Sequence, residues 1–167
     1  MAKIKWYGSV NNRIEEGHNF TGRELQAGDD ITMYMWSDRY CYWIEEVIDQ
    51  KRIKVRRYYV CADHEKATGM GHQAWMYFKT WDEENEYLCK FFPDHHKQGE
   101  HRDEPEAETW VFRNNKWKRE FTHTNPDWID NKTQQKEFDK HGCFHSYANL
   151  SGSVSFGKRS YYYDWEF

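Results

Sequence analysis

The stretch Ile31–Val60, ITMYMWSDRYCYWIEEVIDQKRIKVRRYYV, decides the fold of this chain. Ile31, Met33 and Met35 recur with a period of two, which is typical of a β-strand with one apolar face. A second run, rich in aromatic and β-branched residues, begins directly after the break Ser37–Arg39. Two such runs joined by a short polar break predict a β-hairpin, in which Ser and Asp bond the backbone of the turn.

The chain then continues into a third strand. After a turn at Asp49–Lys51 comes the run RIKVRRYYV. Its aliphatic residues Ile53 and Val55 alternate with basic residues, as expected of a strand with one apolar and one polar face. The three strands together predict an antiparallel meander.

Three later segments also have the composition of strands. GMGHQAWMYFKT predicts a fourth strand over about residues 73–79. TWVFR and KWKREF flank the pair Asn114-Asn115, which suits the positive φ angles of a two-residue hairpin turn. The chain ends on GSVSFGKRSYYYDWEF, which predicts a strand, a Gly-Lys turn and an aromatic tail.

Two insertions interrupt the strands. Residues 82–108 predict an acidic helix-loop insertion, with Asp82 as N-cap of a helix that Pro93 ends. Residues 122–150 predict a helical and loop insertion. Its helix runs from about Pro126 to His141 and is closed by Gly142 as C-cap.

Composition supports a folded chain in spite of its polarity. Mean hydropathy is -1.16, but aromatic residues make up 19% of the 167 residues, and disordered chains are poor in aromatics. We therefore predict one domain spanning residues 1–167. Its fold class is mainly β (α+β): a small antiparallel meander or barrel-like sheet with one or two short helical insertions.

Charge and cysteine usage narrow the setting. The formal charge is -4, and the segment Asp82–Glu108 alone holds ten Asp or Glu against three Lys or Arg. No apolar run has the length of a signal peptide or a membrane span, so we expect a cytoplasmic protein without a membrane partner. The four cysteines lack paired spacing and are expected to be small buried hydrophobes.

Five short motifs occur in a fixed order along the chain. They are Trp36-Ser37-Asp38-Arg39, Gly69-Met70 with Gln73, Phe112-Arg113 with Trp117, Phe156-Gly157-Lys158-Arg159, and Tyr163-Asp164 with Phe167. Their order and spacing resemble those of a family of small β-rich proteins encoded in bacteriophage genomes. The resemblance implies a phage accessory protein that acts in the host cell cytoplasm, where counter-defence is one role that such a protein could have. It implies no biochemical activity and no catalytic residue.

Catalytic and metal chemistry receive little support from the sequence. Pairs such as Cys61 with His64, and His95-His96 with His101, lack the two-plus-two spacing of a zinc finger. We therefore predict no metal site and no cofactor. Cys143 and His145 are the one place where a nucleophile and a base come close in sequence. The sequence favours a protein that is not an enzyme and leaves catalysis open at that pair.

The aromatic and arginine-containing turns suggest a ligand. A small nucleotide-like molecule needs aromatic faces for its base and arginines for its phosphate. The hypothesis is an aromatic and arginine pocket at a barrel mouth. Its residues are Trp36, Asp38, Arg39, Tyr40, Gln73, Arg159 and Tyr162.

Two alternative functions remain open. An acidic loop could inhibit a host protein by mimicking nucleic acid, with Glu100, Asp103, Glu104, Glu106 and Glu108 as contacts. The run KRIKVRRYY interleaves basic and aromatic residues and could instead bind single-stranded nucleic acid. Net negative charge disfavours long polyanions. The sequence leaves the oligomeric state open.

Overall fold

The computed structural model describes residues 24–66, 74–94, 104–157, 159 and 161, together with the backbone of residues 4–6 and 13–15. Its strands are β1 (Ile4–Trp6), β2 (Arg13–Glu15), β3 (Asp30–Tyr34), β4 (Arg39–Asp49), β5 (Arg52–Arg57), β6 (Tyr59–Ala62), β7 (Trp75–Phe78), β8 (Glu108–Arg113), β9 (Lys116–His123), β10 (Phe144–Asn149) and β11 (Ser153–Phe156). Its helices are α1 (Trp81–Cys89) and α2 (Lys132–His141), with a 3-10 turn at Pro126–Trp128.

An antiparallel sheet of seven strands forms the body of the molecule. Its strand order is β10-β9-β8-β5-β4-β3-β11. Two smaller antiparallel sheets pair β1 with β2 and β6 with β7. This confirms the predicted mainly β class with two short helices. The predicted β3–β4 hairpin is also confirmed, because Tyr34 pairs with Arg39 in the ladder.

The seven-stranded sheet is strongly curled. The rings of Trp117 on β9 and Phe156 on β11 have centroids only 5.3 Å apart, although four strands separate β9 from β11 in the sheet. In a flat sheet the two positions would lie about 24 Å apart. Within the described residues β10 does not pair with β11, so the sheet is the predicted antiparallel meander, curled but not closed into a barrel.

The inner face of the curl carries the hydrophobic core. Ile31, Ile44, Ile53, Val55 and Trp110 are all fully buried. These side chains come from consecutive inward positions of four neighbouring strands, as the alternation of their sequences requires.

The small β6–β7 sheet and α1 form a second layer on the outer face. Lys79, just after β7, places its Nζ 4.6 Å from the ring centre of Trp43 on β4. Tyr87 of α1 is buried and packs its ring on Phe78 of β7 at 5.4 Å. Helix α1 thereby covers the small sheet.

Helix α1 begins two residues earlier than predicted. Thr80, not Asp82, is the N-cap: its side chain accepts from the Glu83 amide, and the Glu83 carboxylate accepts from the Thr80 amide. This reciprocal capping box satisfies two free amides, which Asp82 in the first turn does not do. The helix ends at Cys89, four residues before Pro93.

The predicted third strand is in fact two strands that break at Tyr58. The buried Tyr58 donates its amide to the Cys41 carbonyl (3.0 Å) and its hydroxyl to Asp30 Oδ1 (2.6 Å). These bonds fix the point where the chain leaves the large sheet. β6 then pairs with β7, so the predicted fourth strand is not part of the main meander, and β8 takes the place beside β5.

The second insertion contains the predicted helix and an unpredicted strand. Gly142 ends α2 with φ +70°, as predicted, whereas Pro126–Trp128 forms a separate 3-10 turn. The residues after α2 form β10, the terminal strand of the sheet.

Asn114 and Asn115, in the turn between β8 and β9, have the predicted positive φ angles, 53° and 60°. No helix in the described part of the chain is long and apolar enough to span a membrane.

Candidate functional site

The tip of the β3–β4 hairpin holds three of the predicted ligand residues. The Met35 amide donates to the Asp38 carbonyl at 2.9 Å and closes the turn. Trp36 projects from this turn and is 100% exposed. Arg39 is the first residue of β4, and its guanidinium lies 5.5 Å from the ring centre of Tyr34. The turn is therefore a hairpin connection that presents a tryptophan to solvent.

Tyr40, the next predicted residue, lies on the inner face of β4. The guanidinium of Arg57, at the end of β5, stacks on the Tyr40 ring with its carbon 3.9 Å from the ring centre. The opposite neighbour of Tyr40 is Tyr161, with ring centroids 6.2 Å apart. Tyr40 thus joins the end of the main sheet to the C-terminal segment.

Arg159, predicted to share the site, lies over two other tyrosine rings. Its guanidinium carbon is 4.7 Å from the ring centre of Tyr77 and 5.4 Å from that of Tyr58. The Tyr77 hydroxyl accepts the Tyr161 amide at 2.8 Å. Trp75 contacts the Tyr161 ring edge-on at 4.7 Å. Strand β7 therefore contacts Arg159 itself and holds the chain at Tyr161.

These contacts form one continuous surface feature, which we call the tyrosine–arginine cluster. It draws on β4, the end of β5, β7 and the C-terminal segment. Its members are Tyr40, Arg57, Tyr58, Trp75, Tyr77, Arg159 and Tyr161. Arg57 and Arg159 are exposed, whereas Tyr58 is buried. The cluster therefore presents two guanidinium groups on a tyrosine floor.

The hydroxyl of Tyr58 is hydrogen-bonded beneath the cluster, and its surroundings shift its pKa. Burial raises the pKa of Tyr58, the hydrogen bond to Asp30 raises it further, and Arg159 opposes the shift. Burial also raises the pKa of Tyr77. Both phenols therefore stay protonated and neutral at neutral pH. The charges at the cluster are those of its two arginines and of Asp30.

The basic residues of β5 divide into two groups. Arg52 bonds Glu120, Lys54 bonds Glu46, and Arg56 bonds Glu45, at distances of 2.7, 2.7 and 3.0 Å. Arg57, by contrast, has no carboxylate within ion-pair distance among the described residues. The same holds for Arg159. Among the described residues neither arginine of the cluster therefore has a carboxylate within ion-pair distance, and Asp30, which accepts from the Tyr58 hydroxyl, is the carboxylate beside them.

Two predicted site residues, Gln73 and Tyr162, lie outside the described residues. The two arginines of the original hypothesis rest on different rings, Arg39 on Tyr34 and Arg159 on Tyr77 and Tyr58. Whether Arg39 joins Arg159 at a ligand stays a prediction.

The acidic segment is partly engaged within the protein. Glu104 lies 3.6 Å from Arg56. Glu108 accepts the indole N–H of Trp110 at 2.9 Å and pairs with Arg119 at 3.2 Å. Glu106 is exposed, while Glu100 and Asp103 are outside the described residues. The two engaged carboxylates support the sheet as well as carrying charge.

The histidines near the second insertion bind neighbouring side chains. His145 Nδ1 lies 2.5 Å from Glu137 Oε1, which ties β10 to α2. His123 Nε2 lies 2.6 Å from Ser146 Oγ, and the ring stacks on Phe144. The residues that the structure describes contain no group of three His, Cys, Asp or Glu that could hold a metal.

Sequence reasoning missed most of the cluster. The sequence presents Arg57 as part of a basic strand, and its spacing of two and four residues from Val55 and Ile53 is the signal that places it on the same, inner face. Trp75 and Tyr77 gave no signal, because nothing local shows that β7 leaves the main sheet. Tyr161 differs by one position from the predicted Tyr162.

Comparisons with known proteins add no relative. No family model, no curated protein and no solved structure matches the chain.

Proposed function

We propose that the chain is a binding protein for a small nucleotide-like ligand, held at the tyrosine–arginine cluster. The observation that carries the proposal is the state of Arg57 and Arg159. Both are exposed, both rest on tyrosine rings, and neither has a carboxylate partner among the described residues. Stacked guanidinium groups of this kind are suited to anions that carry a planar ring.

The chemistry follows from the geometry of an arginine on a ring. Stacking occupies the flat face of the guanidinium and leaves its N–H edge free, so that edge can bond two phosphate oxygens at once. The ring holds the side chain in place, which reduces the entropy lost on binding. The rings of Tyr40, Trp75 and Tyr161 lie beside the arginines and offer faces or edges to a base.

The setting of this function follows from the resemblance to phage-encoded proteins. A phage accessory protein that captures a nucleotide-like signal would act in counter-defence, in the cytoplasm of the host. Trp36, Asp38 and Arg39 belong to the strand connection that leads into Tyr40. They extend the proposed site along the hairpin.

The alternative functions receive less support from the described residues. Single-strand binding along β5 would use Arg52, Lys54 and Arg56, but carboxylates already pair with all three. β5 is also a central strand, and β4 and β8 flank it on both sides. Inhibition through the acidic segment would use Glu106, whose side chain is exposed.

Isothermal titration calorimetry with a panel of nucleoside phosphates and cyclic dinucleotides tests the proposal. For any ligand that binds, Arg57→Ala and Arg159→Ala should each weaken affinity roughly ten- to hundredfold, since a charge-assisted hydrogen bond contributes about 1.5–3 kcal/mol. Arg113→Ala is the matched control. Arg113 is also exposed and also stacks on a tyrosine, Tyr147, at 4.0 Å, but outside the cluster.

An equal loss of affinity in Arg113→Ala would show a general charge effect and reject the site. If no panel member binds, native mass spectrometry of protein purified from infected cells decides the question. A bound small mass supports the proposal. A bound host protein in its place would favour the inhibitor function.

A further inference from the structure

Strand β10 is the terminal strand of the large sheet, and its outer edge is only partly covered. In an antiparallel ladder, the N–H and C=O of one residue point to the same side, and this side alternates along the strand. The His145 amide donates to Glu137 Oε2 of α2 at 3.3 Å and so points away from β9. The outward backbone groups of β10 therefore belong to His145, Tyr147 and Asn149.

Glu137 protects only the first of these positions. Its carboxylate binds both the amide and the ring of His145. The backbone groups of Tyr147 and Asn149 have no strand beside them among the described residues. At the opposite end of the sheet the backbone of β2 lies alongside β11. The open edge is therefore the second half of β10.

This open edge lacks the features that usually prevent strand pairing. Natural edge strands carry Lys, Pro, a bulge or inward-pointing charges. The β10 sequence FHSYAN contains no Lys, Arg, Asp, Glu or Pro. Its six pairs with β9 are consecutive, so no bulge bends it. Two identical copies of this strand would meet without repulsion between like charges.

We propose that the second half of β10 pairs with the same segment of a second copy of this chain, forming an antiparallel two-fold dimer. The register follows from the free groups. Centring the pair on Ala148 matches Tyr147 of each copy with Asn149 of the other and makes about four backbone hydrogen bonds. This register leaves the Glu137 bond to His145 intact. A two-fold pairing uses the same patch on both subunits.

The side chains of the segment fit this register. At its centre Ala148 faces its own copy in the closely spaced type of pair, where Cα atoms lie about 4.5 Å apart and a small side chain is favoured. Ala148 is exposed, so no described neighbour competes for the position. Phe121, 38% exposed, lies on the same face one ladder step away, opposite Ser146. The dimer would shield part of this ring.

The expected dimer is weak. A pairing of so few residues buries less than the about 1,000 Å² typical of stable interfaces. We therefore expect association that depends on protein concentration in sedimentation equilibrium, with monomer at low micromolar and dimer at several hundred micromolar protein. A covalent trap converts this weak equilibrium into a clear result.

Ala148→Cys provides the trap. Cysteines at about 4.5 Å between Cα atoms lie within the range that a disulfide accepts. Under mild oxidation the Ala148→Cys protein should run as a disulfide-linked dimer on a non-reducing gel. Ala107→Cys is the matched control, because Ala107 is also an exposed alanine but lies in the segment before β8. The unsubstituted protein controls for the four native cysteines.

A second variant tests the same register without oxidation. Ala148→Lys places two like charges opposite each other and should shift dissociation at least tenfold toward monomer, while circular dichroism stays unchanged. The proposal is overturned if Ala148→Cys cross-links no faster than Ala107→Cys. It is also overturned if the unsubstituted chain remains monomeric at the highest concentration, or if Ala148→Lys associates as the unsubstituted chain does.

Discussion

Arg56 and Arg57 are neighbours in sequence, yet they have opposite surroundings. Arg56 bonds the Glu45 carboxylate and the Pro105 carbonyl, both at 3.0 Å, and lies 3.6 Å from Glu104. Arg57 lies on the other face of β5, stacked on Tyr40. One step along a strand changes the face, and the face decides whether the arginine bonds carboxylate and carbonyl oxygens or lies on an aromatic ring.

The comparison extends to the two faces of the sheet. The outer face of β5 is a row of ion pairs, to Glu45 and Glu46 of β4 and to Glu120 of β9, which neutralises the basic run. The inner face ends in rings and guanidinium groups at the edge of the core. A count of basic residues in the sequence therefore overstates the positive charge that a partner would meet.

The largest expected effect concerns the buried end of the outer row. The Glu120 side chain is 6% exposed and bonds Arg52, so Glu120→Gln leaves a buried amide against a guanidinium. We expect a loss of about 1–3 kcal/mol in the free energy of unfolding, measured by urea denaturation. Glu46→Gln is the control, because it breaks a bond of equal length between exposed side chains and should cost under about 0.5 kcal/mol. Equal losses would refute the role of burial.

Removal of the Tyr58 hydroxyl should have the next largest effect. Tyr58→Phe deletes the 2.6 Å hydrogen bond to Asp30 and should cost about 1 kcal/mol in urea denaturation at pH 7. Burial and Asp30 raise the pKa of Tyr58 in the folded protein. The stabilisation is therefore present at neutral pH and is lost only as pH rises through this raised pKa. A variant as stable as the parent at pH 7 would show that the bond does not anchor the cluster.

The two adjacent arginines should then separate stability from binding. Arg56→Ala removes bonds to a carboxylate and a carbonyl, and should lower the free energy of unfolding by about 0.5–1 kcal/mol without affecting the ligand. Arg57→Ala should leave thermal melting nearly unchanged and weaken ligand binding. If Arg57→Ala destabilises the protein more than Arg56→Ala, the stacked arginine is structural and the comparison fails.

The smallest expected effect is the pH dependence of the stability that the Glu137–His145 contact provides. The hydrogen bond from His145 lowers the pKa of Glu137 by more than burial raises it. A carboxyl with a lowered folded pKa stabilises the protein above its unfolded value and loses this contribution as pH falls. Glu137→Gln should therefore cost roughly a few tenths of a kcal/mol at pH 6 and nothing near pH 3, in urea denaturation. Glu86→Gln, an exposed change on α1, should show no such convergence.

Local patterns in the sequence predicted several turns and caps, but not strand β10, the break at Tyr58 or the order of the strands. The β3–β4 hairpin, the Asn114-Asn115 turn and the Gly142 C-cap each depend on a few adjacent residues, and all three predictions are confirmed. The break at Tyr58 depends on Cys41 and Asp30, which are distant in sequence. No local pattern shows such a contact.

The candidate site was predictable only in part for the same reason. Tyr40 and Arg159 were named from aromatic turns, and both lie in the cluster. Their neighbours Tyr77 and Trp75 come from a strand that leaves the main sheet, a change of sheet that periodicity does not encode. Residue type indicated that arginines and aromatic rings form the candidate site. Long-range packing decided which arginines and rings lie together in it.

The break at Tyr58 also has a consequence for the rate and the entropy cost of the proposed ligand binding. Arg57 ends β5, and the amide of the next residue is bonded to the Cys41 carbonyl, so the backbone on both sides of Arg57 is fixed. A proposed ligand that contacts Arg57 would therefore order no backbone at this position, and little conformational entropy would be lost there. Capture at Arg57 should be limited by encounter rather than by rearrangement of β5.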